Sequence, residues 1–297
     1  MTRSGAAVLA ASVLLAACAP EQTDEGSAGS VNARSNMYAG ISESLPTGSP
    51  AIDSTGLIAA WDMTTLTADG SLRDFGPHGL HGEILQAEVL DGVIGAARAF
   101  RTVADRVDLP ESPAFDLDGP LTVATWVRVD SGGIHQHIAA CDDKWALWIT
   151  PADQFRLGDT HGGGWSSPEQ TVRIGAWVPV VAVLRGTKGD PLEPAFVSLW
   201  VDGALAEAYA HLRNDEARSL GVWNSGDLFP DDACHLGFES HQGMESHKTL
   251  PFLGAIDEVL IFSRAWSDEE VQAFGRLSPR ATANRDRPDL PGSPGAP

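Results

Sequence analysis

The sequence of 297 residues carries 40 acidic against 20 basic side chains, a formal charge of -20, and is 43% hydrophobic, with nine Trp and two Tyr. That apolar content is too high for a disordered chain and sufficient for a sizeable core. The acidic excess excludes a sequence-blind nucleic-acid binder, because phosphate backbones and anionic lipid head groups would repel it.

In chain order, the first element is residues 1–17, with Arg3 followed by an apolar run from Ala6 to Ala17. It reads as a secretion signal, too short to span a membrane. The segment Leu15-Ala16-Ala17-Cys18 resembles the bacterial lipobox, which implies cleavage before Cys18, lipidation of that cysteine and anchoring at the outer membrane or cell surface. Acyl chains would then hold the protein on a membrane without a spanning segment. The plainer alternative is an ordinary signal peptide with a chance cysteine. Ala19 is not the aspartate that marks inner-membrane retention. Cys141 and Cys234 remain as an even pair, either disulfide-bonded in an oxidising compartment or two buried free thiols.

Residues 18–50 are rich in Ser, Gly, Thr, Asn and Glu and read as a flexible tether. Residues 51–277 form one continuous candidate domain, and 278–297, with five prolines, a disordered tail. Inside the domain the period is two. Leu121, Val123, Thr125, Val127 and Val129 share one face of a strand, and Trp126 with Arg128 the other. Segments 145–150, 177–185, 195–201 and 255–262 read alike, rich in β-branched and aromatic residues. The 31 Gly and 19 Pro supply the turns such strands need. Asp202-Gly203 predicts a tight hairpin. Ser267-Asp268-Glu269-Glu270 is a capping box that starts a helix running to about Arg276. Many strands with one terminal helix predict an all-β, two-sheet antiparallel β-sandwich or jelly roll.

The order of the segments GLIAAWDM from Gly56, DFGPHGLHGEI, DRVDLPESPAFDLDGPLTVATWVRV, CHLGFES and FLGAIDEVLIFSRAWSDEEVQAF resembles the laminin-G-like domains of the concanavalin A-like lectin/glucanase superfold, in their bacterial form. That resemblance implies a sandwich used for glycan or protein binding, commonly with one structural calcium. The fold alone does not settle function. The calcium positions it implies are Asp62, Asp74 and Asp257, although His78 stands where the family's loop usually has Asn or Gly. Calcium takes six to eight oxygens, so backbone carbonyls would complete such a site. The plain alternative is that Asp257 caps a turn and Asp74 starts one.

Two further groups carry chemistry. His135, His137, His161, His235, Glu239, His241, Glu245 and His247 suit a transition metal or a general acid–base pair, with His241, Glu239, His137 and His161 as catalytic candidates. Their spacing fits no zinc motif, and loop histidines are common. A sugar platform needs an aromatic face flanked by planar polar groups. Trp165, Trp223, Asp142, Asp143, Lys144, Asn224, Glu239 and His241 fall where they would line one edge, with Trp165 beside three glycines as an exposed platform. Trp61, Trp126, Trp148, Trp177 and Trp200 sit in strand patterns and read as packing. No paired-carboxylate strand, nucleophile elbow, HExxH or phosphate loop is present. The family resemblance, with these motifs absent and the lipobox-like segment present, therefore implies a noncatalytic, surface-anchored carbohydrate-binding lipoprotein. A polysaccharide hydrolase or lyase, or a protein-binding adhesion module, is the alternative.

Overall fold

The computed structural model describes residues 52–141, 144–158, 164–206, 209–211, 233–239 and 251–277. Cys18, Asp142, Asp143, His161, Trp223, Asn224, His241, Glu245 and His247 lie outside the described residues.

The strands in chain order begin with β1 (Leu57–Trp61), β2 (Glu83–Leu85), β3 (Glu88–Asp91), β4 (Ala96–Phe100), β5 (Arg106–Leu109), β6 (Leu121–Val129), β7 (Gln136–Cys141) and β8 (Trp145–Ile149). They continue with β9 (Phe155–Gly158), β10 (Gly164–Ser166), β11 (Trp177–Leu184), β12 (Val197–Val201), β13 (Ala204–Leu205), β14 (Tyr209–His211), β15 (Cys234–Leu236) and β16 (Gly254–Phe262), before the helix α1 (Asp268–Gly275). Two antiparallel sheets result, the two-sheet sandwich expected. The first has the order β13-β12-β11-β6-β16-β4-β3, with β1 also paired to β16. The second has the order β14-β10-β9-β8-β7-β15-β5-β2. Among the described residues no helix is long and apolar enough to cross a membrane.

Period-two alternation decides what fills the space between the sheets. Val123, Val127, Val180, Ala182, Leu199 and Ile256 of the first sheet meet Val107, Ala139, Leu147, Phe155, Leu157 and Leu236 of the second in one core cluster. Trp126 points the other way, as its parity requires, into a second cluster on the outer side of the first sheet with Val181, Val183, Trp200, Leu260 and Phe262.

Helix α1 seals that outer side. Ser267 accepts from the Glu270 amide while the Glu270 carboxylate accepts from the Ser267 amide, the expected capping box. Val271 and Phe274 then face the sheet, and Trp266 packs edge-on to Phe262 at 5.1 Å and Phe274 at 5.9 Å between ring centroids. Glu270 also accepts from the Asp53 amide and from Arg264, which in turn donates to the Asp53 and Thr55 carbonyls. The first described residues are thereby clasped to the helix. The Asp202-Gly203 turn forms with φ of 56° and 73°, joining β12 to β13. A side chain on Gly275 would meet the Gly203 Cα at 2.9 Å, so two glycines let the turn and the helix end touch.

Candidate functional site

The second sheet has a chemically different outer face. On β8, Trp145 and Leu147 lie in the core cluster, so Ala146 and Trp148 point outward. On β15, Cys234 and Leu236 are in the core, which turns His235 outward. On β5, Val107 and Leu109 are in the core, which turns Arg106 and Asp108 outward. A register irregularity between His137 and Ala139 on β7 keeps Ile138 in the core while His137 faces out, the re-aiming a bulge provides.

These outward side chains form linked groups. His137 Nε2 pairs with the Glu239 carboxylate, and both residues are buried, at 6% and 3% exposure. The His137 ring lies 5.7 Å from Trp148 at 39°, and the Arg156 guanidinium sits 5.1 Å over the Trp148 ring. A Cβ on Gly164 would lie 2.2 Å from Arg156 Nε, so only glycine leaves room for that guanidinium across β10. His235 Nδ1 is 2.8 Å from Asp108 Oδ1, which also accepts from Arg106 Nε at 2.8 Å. Burial pushes the Asp108 carboxyl up, but the hydrogen bonds from His235 and Arg106 outweigh it and hold the group below its ordinary value. The Phe238 ring stands edge-on to His235 at 5.4 Å.

Of the catalytic candidates, His137 and Glu239 are brought together. Of the sugar-platform residues, two are corrected. Trp165 is not an exposed platform: it is 5% exposed and belongs to the main core, because it pairs with inward-facing Leu157 on β9. Lys144 is 1% exposed and its ammonium is ion-paired to Asp116 and, at 3.2 Å, to Asp118, so its charge ties two loops together and does not face a ligand. Trp148, read as packing, is instead the partly exposed aromatic of the outer face. Its signal was in the sequence: Trp145 and Trp148 are three apart, an odd spacing that sends them to opposite faces of a strand. Cys141 and Cys234 are directly opposite on β7 and β15 and joined by a disulfide.

The three aspartates implied for calcium sit elsewhere and differ among themselves. Asp74 Oδ1 accepts from the amides of Ala60 and Gly76, and Oδ2 from Leu80, so its oxygens organise the turn after β1. Asp62 accepts from the amides of Thr64 and Thr65 and from the Thr65 hydroxyl. Asp257 Oδ2 accepts from Val93 and Ile94, whereas its Oδ1 is buried with no partner. Burial, opposed by those amides and aided by the charge of Asp62, pushes the Asp257 carboxyl up to about 7. Among the described residues no group of three or more His, Cys, Asp or Glu is arranged to hold a metal. An orphaned carboxylate oxygen near a second carboxylate fits a cation completed by carbonyls, while Asp74 does not fit.

Residues 101–272, more than half of the chain, match the Laminin_G_3 family, described as the concanavalin A-like lectin/glucanases superfamily. A search of curated proteins finds no match. Among solved structures, Trypanosoma rangeli sialidase in complex with 2-keto-3-deoxy-D-glycero-D-galacto-2,3-difluoro-nononic acid aligns at a TM-score of 0.56 and 12% identity, over 83% of this chain and 38% of the sialidase. Domain 4 of AbnA, a GH43 extracellular arabinanase from Geobacillus stearothermophilus, in complex with arabinotriose, aligns at 0.50 and 16% identity, over 74% of this chain and 98% of that domain. The binding domain of Paraclostridial Mosquitocidal Protein 1 aligns at 0.50 and 12% identity, over 75% of this chain and 52% of the other. This chain thus spans about two fifths of the sialidase. Identities this low establish a shared fold alone.

Proposed function

We propose that this chain, which belongs to the concanavalin A-like lectin/glucanases superfamily, is a noncatalytic carbohydrate-binding domain whose ligand lies on the outer face of the second sheet. The observation that carries the proposal is the band His137–Trp148–Arg156: an aromatic ring flanked by planar nitrogen groups on an otherwise strongly acidic protein. Sugars are held by such pairs of apolar ring faces and planar hydrogen-bonding groups. The arabinanase domain, matched over almost its whole length, has its structure in complex with arabinotriose, which is in keeping with a glycan ligand here. Most glycoside hydrolases use two carboxyl groups flanking the scissile bond. On this face Glu239 and Asp108 are instead each committed to an imidazole, Asp108 also to Arg106, which favours binding without cleavage.

A structural calcium held by Asp257 and Asp62 with backbone carbonyls belongs to the same proposal, supplying positive charge to the orphaned Asp257 oxygen. Display from a lipidated Cys18 at the bacterial outer membrane or cell surface completes it, supported by the apolar run that ends at that cysteine.

The test is retention of the full chain on a panel of insoluble polysaccharides, with mass spectrometry of each supernatant. Retention with no released oligosaccharide is expected. Released fragments would replace the binding reading by a hydrolase or lyase, and no retention on any polymer would favour a protein partner. For the cation, a chelator is expected to lower the melting temperature of the wild type and to leave Asp257→Asn unmoved. Loss of radiolabelled fatty acid in Cys18→Ala tests the anchor.

A further inference from the structure

Arg106 and Asp108 form a corner of the second sheet that is fixed from beneath and open from outside. Asp108 Oδ1 accepts from His235 Nδ1 and from Arg106 Nε, each at 2.8 Å, while Oδ2 makes no hydrogen bond among the described residues. Burial raises that carboxyl, the two hydrogen bonds more than offset it, and Asp108 stays an ionised acceptor. The Arg106 guanidinium lies 5.3 Å over the Phe238 ring. Its plane is thus set by the ring below and by Asp108 at Nε, and its two terminal nitrogens donate to nothing among the described residues. The Arg106 and Asp108 side chains are 28% and 30% exposed, whereas His235 and Phe238 are each 6% exposed.

The corner lies at one end of the sheet, since β2, beyond β5, is the last strand in the order. Glu83 on β2 is exposed and directly opposite Asp108. Like charges directly opposed on neighbouring strands cost stability, so packing does not account for this pair. The open atoms are a carboxylate oxygen and guanidinium N–H groups side by side. A hydroxyl both donates and accepts, so one that donates to Asp108 Oδ2 and a neighbour that accepts from Arg106 satisfy both. Groups held still before the ligand arrives lose little freedom on binding.

Resting on the reading of this face as a glycan site, we infer that Asp108 Oδ2 and the terminal nitrogens of Arg106 bind adjacent hydroxyls of a neutral sugar, in a subsite separate from the Trp148 ring. Three strand spacings separate β5 from β8 in the sheet order, roughly 14 Å at about 4.8 Å each. One sugar ring does not reach both places, so the corner takes a sugar of its own. Charge selects the neutral ligand: a uronate sets a further carboxylate against Asp108 and Glu83, and an amino sugar sets an ammonium against Arg106.

The experiment titrates the full chain with arabinotriose, cellotriose and maltotriose, and with a uronate and a glucosamine trisaccharide. Nitrogen-15 spectra follow the Arg106 Nε–H and Trp148 indole signals of the wild type, so no variant is needed for this readout. A neutral trisaccharide is expected to shift the Arg106 signal and to bind more tightly than either charged one. By calorimetry, Arg106→Met is expected to weaken that binding by about fivefold to tenfold, the range of one net hydrogen bond. Arg106→Lys keeps the charge beside Asp108 but loses the planar fork, and is expected to weaken binding as much. Full affinity in Arg106→Lys would reduce Arg106 to a counter-charge and overturn the inference. Binding that moves the Trp148 signal and leaves that of Arg106 in place, or that favours a charged trisaccharide, would overturn it too and leave the glycan reading standing. If a polymer retains the chain but no probe binds, the soluble oligosaccharide of that polymer replaces the probes and the same signals decide. A wild type that binds no probe and is retained by no polymer would overturn both.

Discussion

The two sheets of the sandwich end in opposite chemistry on their outer sides. The first sheet turns Trp126, Val181, Trp200 and Phe262 outward and covers them with α1 and Trp266. The second turns out His137, Trp148, Arg156, His235 and Asp108, knit by ion pairs and ring contacts. An apolar outer face has to be buried to be stable, and the terminal helix does that. A polar outer face needs its buried groups to find partners, and His137 pairs with Glu239 and His235 with Asp108; one nitrogen of each imidazole finds none, as is also true of the Trp126 and Trp266 indole nitrogens on the first sheet's outer side. The first outer face is sealed by packing, and the second carries the polar groups on which the proposed recognition rests.

The largest expected effect bears on the strands beneath the second sheet's outer face. The Cys141–Cys234 disulfide closes a separation of 93 residues between β7 and β15, so replacing both by Ala is expected to cost about 3–5 kcal/mol. A thermal melt of the full chain, with and without reductant, reads this as a fall of roughly 10 °C. On the sealed face, Trp266→Ala removes a ring that is 1% exposed and is expected to cost about 3–5 kcal/mol in denaturant unfolding. Glycan affinity of the folded fraction should stay unchanged, and a loss of affinity would erase the division between the faces.

A smaller effect comes from the clasp on α1. Burial pushes Glu270 up, but Arg264 and the Ser267 and Asp53 amides outweigh it and hold the carboxyl below its ordinary value. A group depressed in the folded state stabilises above its unfolded value and loses that contribution as the pH falls through its folded value. Stability of the wild type should therefore drop more steeply on acidification than that of Glu270→Gln, and Ser267→Ala should cost about 1 kcal/mol at neutral pH. The smallest change in stability is expected for Trp148→Ala, about 1 kcal/mol for a partly exposed ring. Its glycan affinity should fall about tenfold, since aromatic anchors dominate such contacts.

Sequence reasoning reached the sheets more readily than the site. That both faces of 121–129 are buried was not legible, since the cover over Trp126 comes from α1 and Trp266. The alternation put Val123 and Val127 on one face and Trp126 on the other, as observed, because strand parity is a local property. The capping box at Ser267 and the Asp202-Gly203 turn were legible for the same reason. The site was not, because it is made of residues far apart in sequence. Glu239 meets His137 and Asp108 meets His235 across 102 and 127 positions, and only strand order brings them together. Trp165 was misread by its glycine neighbours, when its pairing with Leu157 is what decides its direction. Lys144 was misread by its charge, which two loop carboxylates neutralise.

The most direct test of the central claim is a titration of the indole N–H signals of the full chain with a soluble oligosaccharide of whichever polymer retains it. The Trp148 signal is expected to shift while those of Trp126, Trp200 and Trp266 stay in place. Shifts confined to the first sheet's tryptophans, with Trp148 unmoved, would contradict the assignment of recognition to the second sheet's outer face.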